Sequence, residues 1–323
     1  MTNKEIYSRT IGFSWRRLLY DFLTFAILGV LSVAGFMVAE KTADQGLIGL
    51  AIGIVVGIVV VVILLRYISY TFKAGQIAMM TRAITTGSLP DDVIGEGKKA
   101  VKERFLTVSL FFAATGVIKG IFQQLGKALT GVGKALGGDT GETIASVVDT
   151  AIQVVVAYLC DCCLGWVFYR REQNAARATC EGAVLFFKHG KTLARNLGRV
   201  FGMGIASLVV IGGVLSGVFY LIATRFPAFF TMLAGEIAEI ASEEGSKIPA
   251  YLTNPSTLMI AAAVLAGVIV WNIIHGAFIR PFVLTGVLRN YLESGMNDIP
   301  TEESFAMLDS KSPKFAKLHG ELM

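Results

Sequence analysis

The sequence predicts an all-α, polytopic helical membrane protein with six transmembrane helices and both termini in the cytoplasm. Three observations predict this fold class: six long apolar runs, a low content of charged residues, and an alternating distribution of basic residues. Charged residues make up 16% of the 323 residues and apolar residues 54%, whereas an average soluble domain is about 25% charged. Because hydrocarbon offers no hydrogen-bond partner to the backbone, each apolar run is expected to be a helix.

The basic residues indicate both the number of crossings and the orientation. When the segments between apolar runs are assigned alternately to two sides, one side carries 23 of the 29 Lys and Arg residues and the other carries 6. Short loops that are rich in Lys and Arg remain cytoplasmic during membrane insertion. Both termini fall on the basic side, which predicts an even number of crossings and cytoplasmic ends.

The predicted transmembrane domain comprises residues 1–290, and a polar cytoplasmic tail, residues 291–323, is expected to be flexible. The third span is the weakest, because Lys119 directly follows its continuous apolar stretch. Without it the two sides would carry 16 and 13 basic residues, and the asymmetry would disappear. We therefore expect six spans, at about residues 18–38, 47–65, 105–125, 144–169, 200–224 and 258–278.

The connecting segments are predicted to contain further helices. Residues 66–104 should extend the second span, turn at the sequence GSLPDD and begin a charged helix near Asp91. Residues 117–136 have an amphipathic pattern that fits either an interfacial helix or the continuation of a kinked third span. The inner loop, residues 170–199, is predicted to be an amphipathic interfacial helix whose basic residues attract anionic lipid headgroups. The headgroup candidates are Arg170, Arg171, Lys188 and Lys191.

Small residues recur at helical spacing in two spans. The second span has the glycine-zipper pattern GxxxGxxxG, and the fifth span has a longer, interrupted row. Small residues four positions apart allow helix backbones to approach closely, either within one bundle or between subunits. Because there are two separate rows, we predict a homo-oligomer. The helix-packing candidates are Gly49, Gly53, Gly57, Gly198, Gly202, Gly213 and Gly217.

Polar residues within the spans are candidates for a pore or substrate site, because ionisable groups are costly in a membrane. Asp161 and His275 each lie 17 residues from the start of a span that runs from outside to inside. This matched depth suggests that they face each other across a polar cavity and bind or relay a cation or proton. Alternatively, both are merely hydrated at the headgroup boundary. The full candidate set is Asp149, Gln153, Tyr158, Asp161, Asn272 and His275.

Several function classes are disfavoured by the sequence. It lacks GxxxxGK[ST], HExxH and GxSxG, which carry phosphate binding, zinc-dependent hydrolysis and serine nucleophiles. On a helix, Cys160 and Cys163 share one face while Cys162 points away, which is poor geometry for zinc. Insertion topology explains the basic charge without a nucleic-acid partner. We therefore expect no enzyme activity, no catalytic residue, no cofactor, no metal site and no nucleic acid.

Residues 158–298 resemble the C-terminal half of choline-transporter-like membrane proteins. The residues that carry the resemblance are CDCC at Cys160–Cys163, Cys180, the sequence ARNLGRV with Arg195, Asn196, Arg199 and Val200, His275, and VLRNYLESGMND. This chain is shorter than that family and lacks its large extracellular loop. The resemblance implies movement of a small organic cation such as choline. Such a site normally needs an aromatic cage, for which the candidates are Tyr158, Trp166 and Trp271.

The sequence therefore favours an integral membrane solute-permeation protein of the plasma membrane, either a channel or a facilitative transporter for an ion or small organic cation. The predicted partners are membrane lipids and further copies of the chain. The alternative is a non-transporting membrane assembly or scaffold protein, whose basic cytoplasmic loops bind lipids or partner proteins.

Overall fold

The computed structural model describes residues 1–43, 45–64, 66–105, 116, 120–121, 154, 157–243, 249–310 and 312–321. Within these ranges every regular element is a helix and no strand occurs. The all-α fold class is therefore confirmed. Most of the predicted third span, the first part of the fourth span and the amphipathic segment 117–136 lie outside the described residues.

The described helices differ widely in length. A 3₁₀ turn, Ala250–Thr253, precedes the helix Pro255–Ile274. Two π-helical turns, Leu208–Gly212 and His275–Ile279, join consecutive helices. In chain order the helices are α1 (Asn3–Ala43), α2 (Gly46–Leu64), α3 (Arg66–Thr86), α4 (Val93–Arg104), α5 (Ala157–Tyr169), α6 (Ala175–Ser207), α7 (Gly213–Ala223), α8 (Pro227–Glu243), α9 (Pro255–Ile274), α10 (Arg280–Asn297), α11 (Glu302–Asp309) and α12 (Pro313–Gly320).

Three helical stretches are long and apolar enough to cross a membrane: Asn3–Ala43, Gly202–Ala223 and Pro255–Asn297. They contain the predicted first and sixth spans and nearly all of the fifth. Two shorter apolar helices, Ile48–Val62 and Ala157–Tyr169, fall within the predicted second and fourth spans. The structure thus supports a membrane protein, while the total of six crossings and the side of the termini stay predictions.

The chain divides into two compact units. Unit 1 comprises Met1–Arg17, Tyr67–Phe201 and Arg280–Met323, and unit 2 comprises Leu18–Arg66 and Gly202–Ile279. Unit 2 contains most of the exposed large apolar side chains, including Val209 and Val214. An apolar surface of this extent is unusual for a soluble protein and is what lipid contact requires.

Glycine determines how closely α1 and α2 pack in unit 2. A Cβ added to Gly49 would meet the backbone of Gly35, and one added to Gly53 would lie 2.8 Å from the Cα of Ser32. A Cβ on Gly57 would lie 2.7 Å from the Leu28 side chain. The second-span row therefore packs within the chain, and its partner position Gly35 was not predicted from the sequence.

Unit 1 has a core of large aromatic and aliphatic side chains. Trp166 and Tyr291 are fully buried, and the hydroxyl of Tyr291 donates to the carbonyl oxygen of Gly182. The inner loop does form a helix, α6, but Cys180 and Val184 in its first turns belong to this core. Residues 178–185 of α6 are therefore buried against protein on all sides of the helix.

The C-terminal tail is helical and packed, although its polarity suggested flexibility. Phe305 and Phe315, from α11 and α12, are almost completely buried. His319 is 2.9 Å from the Asp309 carboxylate, and its ring packs against Phe305. Three aromatic rings, those of Phe305, Phe315 and His319, thus anchor two short helices whose other residues are mostly exposed.

The predicted turn between α3 and α4 is confirmed. α3 ends at Thr86, and Gly87 follows with φ of +72°, a conformation that glycine adopts without a steric penalty. Asp92 then caps α4, since its carboxylate accepts a hydrogen bond from the Gly95 amide at 2.9 Å.

The glycine contacts predict opposite outcomes for two substitutions. Gly53→Ala places a methyl group against the α1 backbone and should destabilise the protein by about 1–3 kcal/mol, the usual cost of overpacking. Gly213→Ala is the matched control, because nothing lies within 4 Å of its added Cβ. It should be neutral or slightly stabilising. Thermal unfolding in detergent micelles measures both, and equal effects of the two substitutions would show that α1 and α2 do not pack in this way.

Candidate functional site

The carboxylate of Asp161 in unit 1 is almost completely buried, with its side chain 4% exposed. The Nζ of Lys73 lies 2.5 Å from its Oδ1, and the Nη2 of Arg280 lies 2.6 Å from its Oδ2. One carboxylate therefore binds two cations, one on each oxygen. We call Asp161, Lys73 and Arg280 the Asp161 cluster.

Three helices that are distant in sequence supply this cluster. Asp161 lies in α5, an apolar helix in which every residue from Tyr158 to Phe168 except Cys160 is buried, so its side chain points into protein. Lys73 lies in α3 between the buried Phe72 and Ala74. Arg280 is the first residue of α10, directly after the π-helical turn that ends α9.

Arg280 holds α5 through more than its charge. Its Nη2 also donates to the carbonyl oxygen of Ala157 at 3.0 Å. Its guanidinium carbon lies 5.3 Å from the centre of the Tyr158 ring, within the range of a cation–π contact. Arg280 thus contacts a carboxylate, a backbone carbonyl and an aromatic ring on two consecutive turns of α5.

The cluster has more positive than negative charge. Burial lowers the pKa of Lys73 to about 8; the Asp161 carboxylate raises it, and the charges of Arg280 and Arg17 lower it further. At neutral pH Lys73 is mostly protonated, so Asp161 faces two positive charges. The side chains of Lys73 and Arg280 are 19% and 24% exposed. The two cations are therefore the accessible members of the cluster.

Several hydrogen-bond donors of the cluster are unused within the described part of the chain. An ammonium group has three donors and a guanidinium has five. Lys73 uses one, on Asp161, and the Nη2 of Arg280 serves Asp161 and Ala157. The buried Nε of Arg280 has no partner. A buried polar group without a partner requires an explanation, such as a bound water or ion.

The structure distributes the predicted pore residues between the two units. Asp161 and Tyr158 belong to unit 1 and contact Arg280. Asn272 and His275 belong to unit 2, and Asn272 is exposed. Their proposed meeting across a cavity stays a prediction. Asp149 and Gln153 lie outside the described residues.

His275 lies in a close helix contact within unit 2. Its ring is 5.1 Å from that of Trp271, and its Nε2 would lie 4.0 Å from a Cβ added to Gly204. The indole nitrogen of Trp271 donates to the Ser207 hydroxyl at 3.1 Å. Gly267 approaches Ser216 two turns further along. These contacts pair the end of α6 and α7 with α9 in antiparallel orientation.

The described glycines of the second row do not pack closely against another helix of this chain. Nothing lies within 4 Å of a Cβ added to Gly202, Gly213 or Gly217. Gly198 lies in α6, where its surroundings are outside the described side chains. The open positions are compatible with a second copy or with lipid, so the homo-oligomer stays a prediction.

The predicted headgroup residues mostly have partners inside unit 1. The Nε of Arg170 lies 3.1 Å from the buried carboxylate of Glu181, which also accepts from the Trp166 indole. The Nε of Arg171 donates to the carbonyl oxygen of Phe168. Arg170 and Arg171, two of the four predicted headgroup residues, are thus already bound to groups of unit 1. Lys188 pairs with Asp298 at 2.7 Å, and the side chain of Lys191 is outside the described set.

The aromatic residues implied by the family resemblance all have partners of their own. The Tyr158 ring faces Arg280, Trp166 is fully buried, and Trp271 packs against His275. In Tyr158 the chain itself supplies the cation that a cage would bind. An organic cation at that ring would have to replace Arg280.

The cysteines occupy packing positions. Cys162, Cys163 and Cys180 are buried, and the Cys163 sulfur lies 3.6 Å from the Thr179 carbonyl oxygen. Burial raises the pKa of Cys180 to about 12, which favours the thiol over the metal-binding thiolate. Among the described residues no group of His, Cys, Asp and Glu is arranged to hold a metal ion.

Sequence reasoning missed Lys73 and Arg280 as members of the site. Both were counted only as basic residues that report topology. The relevant signal was Asp161 itself, because a carboxylate in an apolar helix needs a cationic partner. That rule requires a partner but does not identify it among 29 basic residues.

No family model matches this chain, and neither a curated protein nor a solved structure does so. The resemblance of residues 158–298 to choline-transporter-like proteins therefore stays a prediction. The argument for function rests on the geometry of the Asp161 cluster.

Removing the shared carboxylate should destabilise the protein strongly. Asp161→Asn leaves Lys73 and Arg280 buried beside a neutral amide, and breaking a buried ion pair in this way costs about 3–5 kcal/mol. Unfolding followed by tryptophan fluorescence in detergent measures the loss. Asp91→Asn is the matched control, because Asp91 is exposed in the turn before α4. A loss in Asp161→Asn no larger than in this control would contradict the cluster.

Lys73 should also give stability a defined dependence on pH. Its pKa in the folded protein, about 8, is below its ordinary 10.5, so the cost of burying its charge is complete below pH 8. That cost is relieved as pH rises from 8 towards 10.5. Relative to Lys73→Met, the wild type should therefore gain stability between pH 7 and about pH 9. Paired unfolding curves test this, and a constant or reversed difference would refute it.

Proposed function

We propose that this chain is an integral membrane solute-permeation protein, a channel or facilitative transporter for a small charged solute. We further propose that it acts as a homo-oligomer in the plasma membrane. The observation that carries the proposal is the Asp161 cluster, in which two partly exposed cations share one buried carboxylate. Apolar helices long enough to span a membrane belong to the same chain.

The energetic cost of the cluster supports a functional role. Replacing a buried ion pair with apolar residues of similar volume is often neutral or stabilising. A fold that needed only stability would therefore gain little from a buried carboxylate with two partly buried cations. Charged groups associated with membrane spans commonly mark the paths of ions and solutes. In this proposal Asp161 positions the two cations, and Lys73 and Arg280 contact the solute.

A membrane scaffold is the second candidate, and the compactness of unit 1 favours it. Unit 1 has its own aromatic core and surface ion pairs such as Arg177–Glu302 and Lys188–Asp298. A folded unit of this kind could dock partner proteins without moving a solute. The two candidates differ in one observable, the flux of solute across a sealed membrane.

Reconstitution into liposomes tests the proposal directly. We expect saturable flux of at least one solute from a panel of sodium, potassium, choline, chloride and phosphate. Lys73→Gln should lower that flux about tenfold or more, as expected when a buried hydrogen-bonded charge is lost from a binding site. Unlike Asp161→Asn, this variant leaves the Arg280–Asp161 pair intact.

Lys99→Gln provides the matched control, because it removes the same charge from an exposed position on α4. Its flux should equal that of the wild type. Absence of flux for every solute, from protein that unfolds normally on heating, would favour the scaffold. Equal flux in Lys73→Gln and Lys99→Gln would remove the cluster from the path.

A further inference from the structure

We propose that Lys73 and Arg280 form a binding site for a phosphate-type oxyanion, supplied by either a phospholipid headgroup or free phosphate. The site would exist whether or not the chain transports a solute. The proposed ligand is an anion, whereas the sequence pointed to a cation.

The charge balance excludes a cation as the natural ligand of the cluster. Asp161 is the only carboxylate in contact with Lys73 or Arg280 within the described residues, and both of its oxygens are engaged. A cation approaching Asp161 would have to displace Lys73 or Arg280, whereas an anion would neutralise an existing excess.

The unused donors fit an oxyanion better than a spherical ion. Lys73 has two donors beyond the one directed at Asp161, and Arg280 has its Nη1 group free of any described partner. An ammonium next to a planar guanidinium matches the several acceptor oxygens of a phosphate group. Because Asp161 pairs with both cations, it would hold the distance between them fixed before the anion binds.

The position of the two residues suits a phosphate near a membrane. Lys73 follows the apolar helix Ile48–Val62 in the chain, and Arg280 follows the apolar helix α9. Headgroup phosphates lie next to the hydrocarbon that such helices cross, and basic residues there attract anionic lipids. A soluble phosphate ion would use the same donors, so the two sources need separate experimental arms.

The test measures binding to the purified full chain in detergent. Phosphatidylglycerol, phosphatidylcholine and inorganic phosphate are added separately, and thermal unfolding and native mass spectrometry report binding. We expect phosphatidylglycerol or inorganic phosphate to raise the midpoint of unfolding by about 3 °C or more at saturation. A shift with the lipid alone identifies a headgroup site, and a shift with inorganic phosphate identifies a site for free phosphate. Either result supports the proposal.

Variants assign the binding to the cluster. Lys73→Gln should weaken binding about tenfold, whereas the exposed control Lys99→Gln should bind like the wild type. Equal binding by Lys73→Gln and Lys99→Gln would overturn the proposal, as would the absence of any shift with all three probes. Because no flux is measured, these outcomes are independent of whether the chain transports a solute.

The wild type provides a second test that needs no substitution. Raising the pH from 7 to 9 neutralises much of Lys73, so binding should weaken although inorganic phosphate becomes more negative over the same range. Unchanged or tighter binding at pH 9 would show that Lys73 does not contact the anion.

Discussion

The sharing of the Asp161 carboxylate between Lys73 and Arg280 is the interaction on which the rest of unit 1 depends. It joins α3, α5 and α10, three helices that are far apart in the chain. Each cation pairs with one oxygen of the Asp161 carboxylate, so the loss of either cation would leave a buried carboxylate oxygen without its partner. The shared carboxylate also holds two partly exposed cations next to each other, and this pair of cations is what a binding function would use.

The buried carboxylates of unit 1 each have specific partners. In α5, Asp161 lies among mostly buried apolar residues, and its side chain is only 4% exposed. Glu181 has a similar role beside Trp166 and Arg170. Unit 1 therefore combines an aromatic core with a few fully engaged carboxylates. Such networks are strained by any change that leaves one member unpaired.

Local sequence patterns predicted the helices and the turns well. The turn at Gly87, the cap at Asp92 and the apolar helices follow from residue types within a few positions of each other. The close α1–α2 contact was also visible as a glycine row, although its partner Gly35 was not. These features depend on backbone conformation and side-chain volume, which short segments encode directly.

The members of the site could not be predicted in the same way. Lys73 and Asp161 are 88 positions apart, and Arg280 lies a further 119 positions along the chain. Only the packing of α3, α5 and α10 determines which basic residue reaches the carboxylate. The same holds for the tail, where Phe305 and Phe315 find a buried site that polarity alone does not reveal.

A cryo-electron microscopy structure in lipid nanodiscs, at a resolution that shows side chains and bound anions, would show whether the cluster forms and binds an anion. The account predicts Lys73 and Arg280 on opposite oxygens of Asp161, with phosphate-sized density against their free donors. A carboxylate that faces an open, water-filled path, with either cation directed elsewhere, would contradict it.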